Sequence, residues 1–145
     1  SEAAQAATLS HTASLAGGSA VASAFLRRTG CVEVAGLGAF LETLKLLHHG
    51  GPLAGPAVAS VSCSGGEASL MADAAEGSAI RWTPFPEAAA EALRSILGPL
   101  VTVANPLDYH TFIWGDTERM TATFSAVLGG GFDLAAFVLD LPRPD

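Results

Sequence analysis

The sequence predicts an α/β protein with a doubly wound parallel sheet, preceded by a helical segment from the end of a neighbouring domain. Half of the 145 residues are hydrophobic and 14% are charged, so the chain has enough apolar surface for a packed core. After residue 50, short apolar runs alternate with amphipathic segments, and Gly and Pro mark the turns between them. This alternation is typical of parallel sheets with helices on both faces.

The beginning of the chain predicts a loop and two helices. Residues 1–17 are small and polar and show no periodicity, which indicates a loop or a frayed lead-in. An amphipathic helix is predicted over residues 18–28 and a short strand over residues 31–34. From Leu37 onward, apolar residues recur at helical spacing and predict a second helix that ends near Gly50.

The Gly- and Pro-rich stretch after residue 50 predicts a linker, so we expect domains of residues 1–50 and 51–145. The second domain should contain four strands, at residues 57–63, 79–82, 100–104 and 134–139. Helices are predicted over residues 67–76, from Pro86 to Leu97, and from a cap at Asp116 or Thr117. No helical segment follows the last strand, so we expect this domain to be truncated at its C-terminus.

Charge and composition exclude several classes of partner. The formal net charge is -7 and the seven Lys and Arg residues are scattered, which argues against nucleic acid binding. No apolar run approaches the roughly 20 residues of a membrane helix, and the start of the chain does not resemble a signal peptide. Cys31 and Cys63 are too few for a disulfide scaffold and are interpreted as buried, reduced thiols of a cytoplasmic protein.

The first candidate for chemistry is His11, in the segment Ser10-His11-Thr12-Ala13-Ser14-Leu15-Ala16-Gly17. A histidine among small residues can present its imidazole freely, and neutral imidazole is a competent nucleophile near pH 7. On these grounds alone, a solvent-exposed histidine of a polar loop is the alternative.

A second candidate is the turn Ser64-Gly65-Gly66, which follows a predicted buried strand and opens a helix. Ligands of doubly wound sheets bind at the carboxyl ends of the strands, where backbone N–H groups form an anion site. The glycine spacing is not that of a dinucleotide-binding fingerprint. A tight turn with a capped helix is the alternative.

A third candidate is the loop with Asn105, Asp108 and His110, which could line a substrate pocket. The alternative has Phe112 and Trp114 covering the sheet edge and His110 in solvent. The order Ser64, Asp108, His110 is also that of an α/β-hydrolase triad, but Ser62 stands where the elbow pattern requires Gly. No residues stand at the spacing of a metal site.

These motifs together resemble NDP-forming acyl-CoA synthetases. The segment around His11 is similar to the S-H-T-G-x-L-A-G sequence that contains the phosphorylated histidine of that family. The Gly-rich turn and Asn105-Pro106-Leu107-Asp108 follow in the family's order, so the likeness extends over the whole chain. Ala13 stands where the family has Gly, and Glu67 follows the paired glycines where many members have Pro-Gly.

The resemblance implies a flavodoxin-like fold for residues 51–145 and an acid–thiol ligase activity for the full-length protein. The enzyme would make or cleave an acyl-CoA through an acyl phosphate and a phosphohistidine at His11. CoA, and ATP or GTP with Mg²⁺, would bind mainly to CoA-binding and ATP-grasp domains of the same protein or a partner subunit. We expect this chain alone to be inactive and to form a homo-oligomer. The alternative is a non-catalytic ligand-sensing relic of the same fold.

Overall fold

The computed structural model describes residues 3–4, 6–7 and 18–139, and His11 lies outside them. The chain divides into two compact units, Ser1–Gly51 and Pro52–Asp145. Helix α1 spans Ser19–Arg28 and helix α2 spans Leu37–Gly50, both in the first unit.

The first unit confirms both predicted helices but not the strand predicted between them. Residues 3–4 and 6–7, which were predicted to belong to a loop, are helical. Helix α1 ends where the Thr29 hydroxyl donates to the carbonyls of Phe25 and Leu26, each at 3.0 Å. Residues 31–34 form irregular chain, not a strand, and Cys31 is exposed, which corrects the prediction of a buried thiol. The apolar side chains of α2 are exposed, Leu44 among them.

The second unit is built on a parallel sheet, which confirms the predicted α/β class. Strands β1 (Val58–Ser62), β2 (Leu107–Asp108) and β3 (Leu134–Phe137) lie in the order β2-β1-β3 within the described residues. Both partners run parallel to β1, which is buried along its whole length. A central strand with apolar neighbours on both faces is typical of this fold class.

The described part of the second unit also contains three α-helices and a short 3-10 helix, Thr111–Ile113. Helix α3 spans Gly65–Ala74, starting two residues before the prediction, α4 spans Glu87–Leu97 and α5 spans Thr117–Leu128. The Asp116 carboxylate accepts a hydrogen bond from Arg119 N–H at 3.0 Å, so the predicted cap of α5 is confirmed.

The core joins one face of β1 to helices α4 and α5, which pack on each other. Ala59 and Val61 point to this face and belong to one buried cluster with Leu93 and Val127. Because side chains alternate along a strand, Ser60 points to the opposite face, where α3 packs against β1.

Two of the four predicted strands differ from the structure. The strand predicted at 79–82 is reduced to a single bridge at Arg81. The strand predicted at 100–104 is wrong, since these residues are irregular and the second strand of the sheet lies at Leu107–Asp108. Val101 explains the error: it is buried in the core as a strand residue would be, but its segment forms no ladder.

Among the described residues, no strand pairs with this edge of β1 between Arg81 and Leu107, and the Asn105 side chain makes the hydrogen bonds there instead. At the start of β1, Val58 N–H donates to Arg81 O at 3.1 Å. One position further on, Asn105 Nδ2 donates to Val58 O at 2.7 Å, and Ser60 N–H donates to Asn105 Oδ1 at 3.1 Å. The Asn105 amide therefore supplies the hydrogen bonds that a neighbouring strand would make.

Candidate functional site

The carboxyl ends of β1 and β2 bring two of the predicted site segments together. The register places Ser62 beside Asp108, and Tyr109 N–H donates to Ser62 O at 2.9 Å. The turn at Ser64 follows β1 directly, so it lies at the same edge of the sheet as the segment that carries Asp108. This is the edge at which ligands of parallel sheets bind.

The N-terminus of α3 has backbone donors without a side-chain cap. Ala68 N–H makes the first helical bond, to Ser64 O at 3.0 Å, which leaves the N–H groups of Gly65, Gly66 and Glu67 before it. The Ser64 side chain makes no capping bond to them. Both glycines are exposed, so these donors are accessible to an anion.

Asp108 lies directly beside this turn. A Cβ atom at position 65 would be 3.3 Å from Asp108 Oδ2, so glycine lets the carboxylate approach the start of α3. The other oxygen, Oδ1, accepts a hydrogen bond from His110 N–H at 2.9 Å. The Asp108 carboxylate is thus fixed between the two segments.

His110 is held in an unusual backbone conformation next to Asp108. Its φ of 59° lies in the left-handed region, which residues other than glycine enter at a cost. Its ring stacks on Phe112 with centroids 5.1 Å apart and planes 5° from parallel. Its Nε2 atom lies 3.8 Å from Asp108 Oδ2, an ion pair whenever the imidazole is protonated.

A second carboxylate, that of Glu67, lies in the first turn of α3, where it complements the helix dipole. The Cys63 thiol donates to Glu67 Oε2 at 3.8 Å, and Cys63 is buried as predicted. An anion at the turn would therefore meet three N–H groups and also the negative charges of Glu67 and Asp108. A protonated His110 would offset one of these charges.

Asn105, predicted for the same loop, has a different position. Its amide bonds to Val58 and Ser60 of β1 and donates to Thr83 O at 2.9 Å. These contacts lie at the amino-terminal half of β1, away from the turn at Ser64. The structure therefore joins Asp108 and His110 to the turn and gives Asn105 a role in the sheet.

The aromatic side chains of Phe112 and Trp114, which follow His110, are largely exposed. Their exposed fractions are 59% and 53%, whereas Ile113 between them is buried. The Ser64 backbone, at φ -141° and ψ 131°, is ordinary extended chain and not the strained turn of a hydrolase nucleophile.

Two further observations concern the described residues alone. Residues 3–4, 6–7 and 18–139 contain no group of three His, Cys, Asp or Glu side chains placed to hold a metal ion. No helix in the same ranges is both long and apolar enough to cross a membrane.

Comparison with protein families gives one match, to the succinyl-CoA ligase like flavodoxin domain, over residues 1–47. The resemblance to NDP-forming acyl-CoA synthetases is confirmed for these residues. The matched residues include His11 and make up about a third of the chain. No curated protein matches the sequence. The matched residues lie in the first unit. The parallel sheet of the second unit is consistent with a flavodoxin-like fold, and a CoA ligase-type domain is the general function that the match supports.

Proposed function

We propose that this chain is part of an NDP-forming acyl-CoA synthetase that makes or cleaves a thioester through an acyl phosphate and a phosphohistidine at His11. The observation that carries the proposal is the family match over residues 1–47, which contain the His11 motif. In the cleavage direction, the His11 imidazole attacks the phosphorus of the acyl phosphate, the P–O bond to the acyl group breaks, and the free acid leaves. The phosphoryl group then passes from nitrogen to the terminal phosphate of a nucleoside diphosphate.

The geometry of the second unit supports a phosphate-handling role for the turn at Ser64. The free N–H groups of Gly65 and Gly66 face solvent at the start of a ten-residue helix, where the dipole favours negative charge. His110 could add a positive charge beside them. We propose that this turn holds the phosphoryl group during one step of the transfer.

The substrates and Mg²⁺ would be held mainly outside this chain. The sequence contains one lysine, Lys45, and it is not part of a Walker-type loop. We propose that a CoA-binding domain and an ATP-grasp domain, in the same protein or in a partner subunit, bind CoA and ATP or GTP with Mg²⁺. The protein would act in the cytoplasm.

The test is phosphoryl labelling of the full-length protein with its ATP-grasp partner. Incubated with Mg²⁺ and a nucleoside triphosphate labelled on its terminal phosphate, it should gain acid-labile, base-stable phosphate. His11→Asn should abolish the label. His48→Asn, at the exposed end of α2, is the matched control and should keep it. Equal labelling of the His11 variant would refute the assignment.

The second candidate, a non-catalytic sensing module of the same fold, is favoured by one observation. Asp108 and Glu67 place two carboxylates at the turn, and like charge weakens phosphate binding. The same experiment separates the two candidates. A sensing relic would take up no label at all in the unmutated protein.

A further inference from the structure

A cavity of about 410 Å³ opens in the second unit, away from the turn at Ser64. One wall is Asn105, whose amide bonds to the first half of β1, and another is the face of α4 that carries Ala90 and Arg94. The volume falls within the range of small-molecule pockets, about 300–1,000 Å³. Asn105 was marked by a sequence motif, but the other lining residues come from separate elements and carry no motif.

The lining combines apolar side chains with one cation, Arg94, and one anion, Glu87. Trp82, Phe85 and Val103 supply the apolar surface, and Phe85 is itself buried. The indole N–H of Trp82 is enclosed and has no acceptor among the described residues, so no hydrogen bond fixes its ring. Arg94 is the cation among the residues that line the cavity.

Arg94 is available to a ligand because its present partner is weak. Its Nη1 atom donates to Glu87 Oε1 at 2.9 Å, but the two side chains are 54% and 79% exposed. Water screens such a surface pair, which contributes little free energy. A ligand carboxylate can therefore replace the Glu87 carboxylate on the planar guanidinium group, which suits two-pronged binding.

We propose that this cavity binds a small organic carboxylate with a flat apolar body, such as an aromatic acid. The carboxylate binds Arg94, and the apolar body lies against Trp82 and Phe85, whose rings favour a flat partner. The site is separate from the phosphoryl transfer proposed above, and its test does not depend on that reaction.

Tryptophan fluorescence tests the proposal directly. The chain has two tryptophans, and Trp114 is exposed, so Trp114→Phe leaves Trp82 as the reporter in the cavity. Titration with benzoate should change the emission saturably, with a dissociation constant in the millimolar range expected of so small a ligand. Benzamide has the same shape without the charge and should bind at least about tenfold more weakly.

Variants made in the Trp114→Phe background assign the charge. Arg94→Met should weaken benzoate binding by about tenfold or more, and Glu87→Gln should strengthen it because the competing carboxylate is gone. Lys45→Met breaks a comparable exposed pair, with Glu42, and should change nothing. The proposal is overturned if benzoate gives no saturable signal, if benzamide binds equally well, or if Arg94→Met leaves the affinity unchanged.

Discussion

Ser60 and Asn105 are joined across 45 residues of sequence by a hydrogen bond from Ser60 N–H to Asn105 Oδ1. The same amide donates to the carbonyls of Val58 and Thr83. Each polar atom of this side chain thus has a backbone partner, and β1 keeps its hydrogen bonding where the neighbouring strand is interrupted. Asn105 is a structural residue by this geometry.

Asn105→Asp should destabilise the second unit strongly. The aspartate keeps an acceptor for Ser60 but turns a carboxylate oxygen toward two carbonyl groups that lose their donors. We expect the free energy of unfolding to fall by about 2–4 kcal/mol, since unpaired buried polar groups are costly. Urea unfolding followed by circular dichroism measures the change. The control, Glu91→Gln, replaces a carboxylate with an amide on the exposed face of α4. Its free energy of unfolding should stay within about 0.5 kcal/mol of that of the unmutated chain.

An unchanged urea midpoint for Asn105→Asp would contradict this role. It would mean that water replaces the hydrogen bonds of the Asn105 side chain with no loss of stability, and that β1 needs no side chain where its neighbouring strand is interrupted.

Asp108→Asn should strengthen phosphate binding at the turn. The carboxylate lies beside Gly65, and its removal takes away a like charge from the anion while keeping the side chain's size. We expect inorganic phosphate to bind about 3- to 10-fold more tightly. Shifts of the Gly65 and Gly66 amide signals in ¹⁵N NMR titrations report the site itself.

Asp73→Asn is the matched control for that measurement. It changes the net charge equally, but it lies at the other end of α3 and is exposed. Its phosphate affinity should equal that of the unmutated chain. If the two variants respond alike, the effect is one of overall charge, and the turn has no specific anion site.

The open edge of β3 should drive self-association. In the described residues, β3 pairs with β1 on one side only, and unpaired strand edges recruit further strands. Leu134 N–H donates to Ala57 O, just before β1, and Val138 N–H donates to Val61 O, so by alternation the Ala135 N–H faces outward. We expect Ala135→Pro to lower the mass measured by light scattering, because proline removes this outward donor and is tolerated at edges.

Ala136→Pro is the counterpart, since its N–H faces β1. It should lower stability instead, through loss of a ladder bond. A monomeric unmutated chain, or an Ala135→Pro variant of unchanged mass, would show that β3 is not the interface.

The 145-residue chain alone should not catalyse the cleavage of an acyl-CoA. Phosphoryl transfer depends on positioning and metal-assisted stabilisation of charge, and the single lysine of the sequence, Lys45, is not part of a Walker-type loop. Incubated with acetyl-CoA, phosphate, ADP and Mg²⁺, the chain should release CoA no faster than buffer does, as measured with a thiol reagent. ADP-dependent release would place the catalytic machinery within these residues. Serum albumin at equal concentration controls for nonspecific hydrolysis.

The helices were predictable because their signals are local. Asp116 stands before an amphipathic run, and it caps α5 as expected. The ladder was not predictable in the same way. Val101 resembles a strand residue because it is buried and β-branched. The hydrogen bonds to β1 come instead from Leu107–Asp108 and from the amide of Asn105. A side chain that replaces a strand leaves no periodic signal in the sequence.

The candidate site was predictable in part for a related reason. Ser64 could be assigned to a carboxyl end because a turn follows the strand that became β1. Asp108 was expected in a loop after a strand at 100–104, and it lies instead within β2. The closeness of Gly65 to the Asp108 carboxylate depends on the register of β1 and β2, which no local pattern specifies.

One edge of β1 is bonded to Arg81 and to the Asn105 amide, and this has a consequence for how the second unit folds. Ala57, next to β1, is bonded to Asp133 across 76 residues, and Ser60 to Asn105 across 45. No hairpin can therefore nucleate this sheet, and its first hydrogen bonds form only after long loops have closed. Refolding should be slow for a domain of this size, with helices α4 and α5 docking before the ladder is complete. Stopped-flow measurements of both rates should then show that Asn105→Asp unfolds faster than the unmutated chain, with little change in its folding rate.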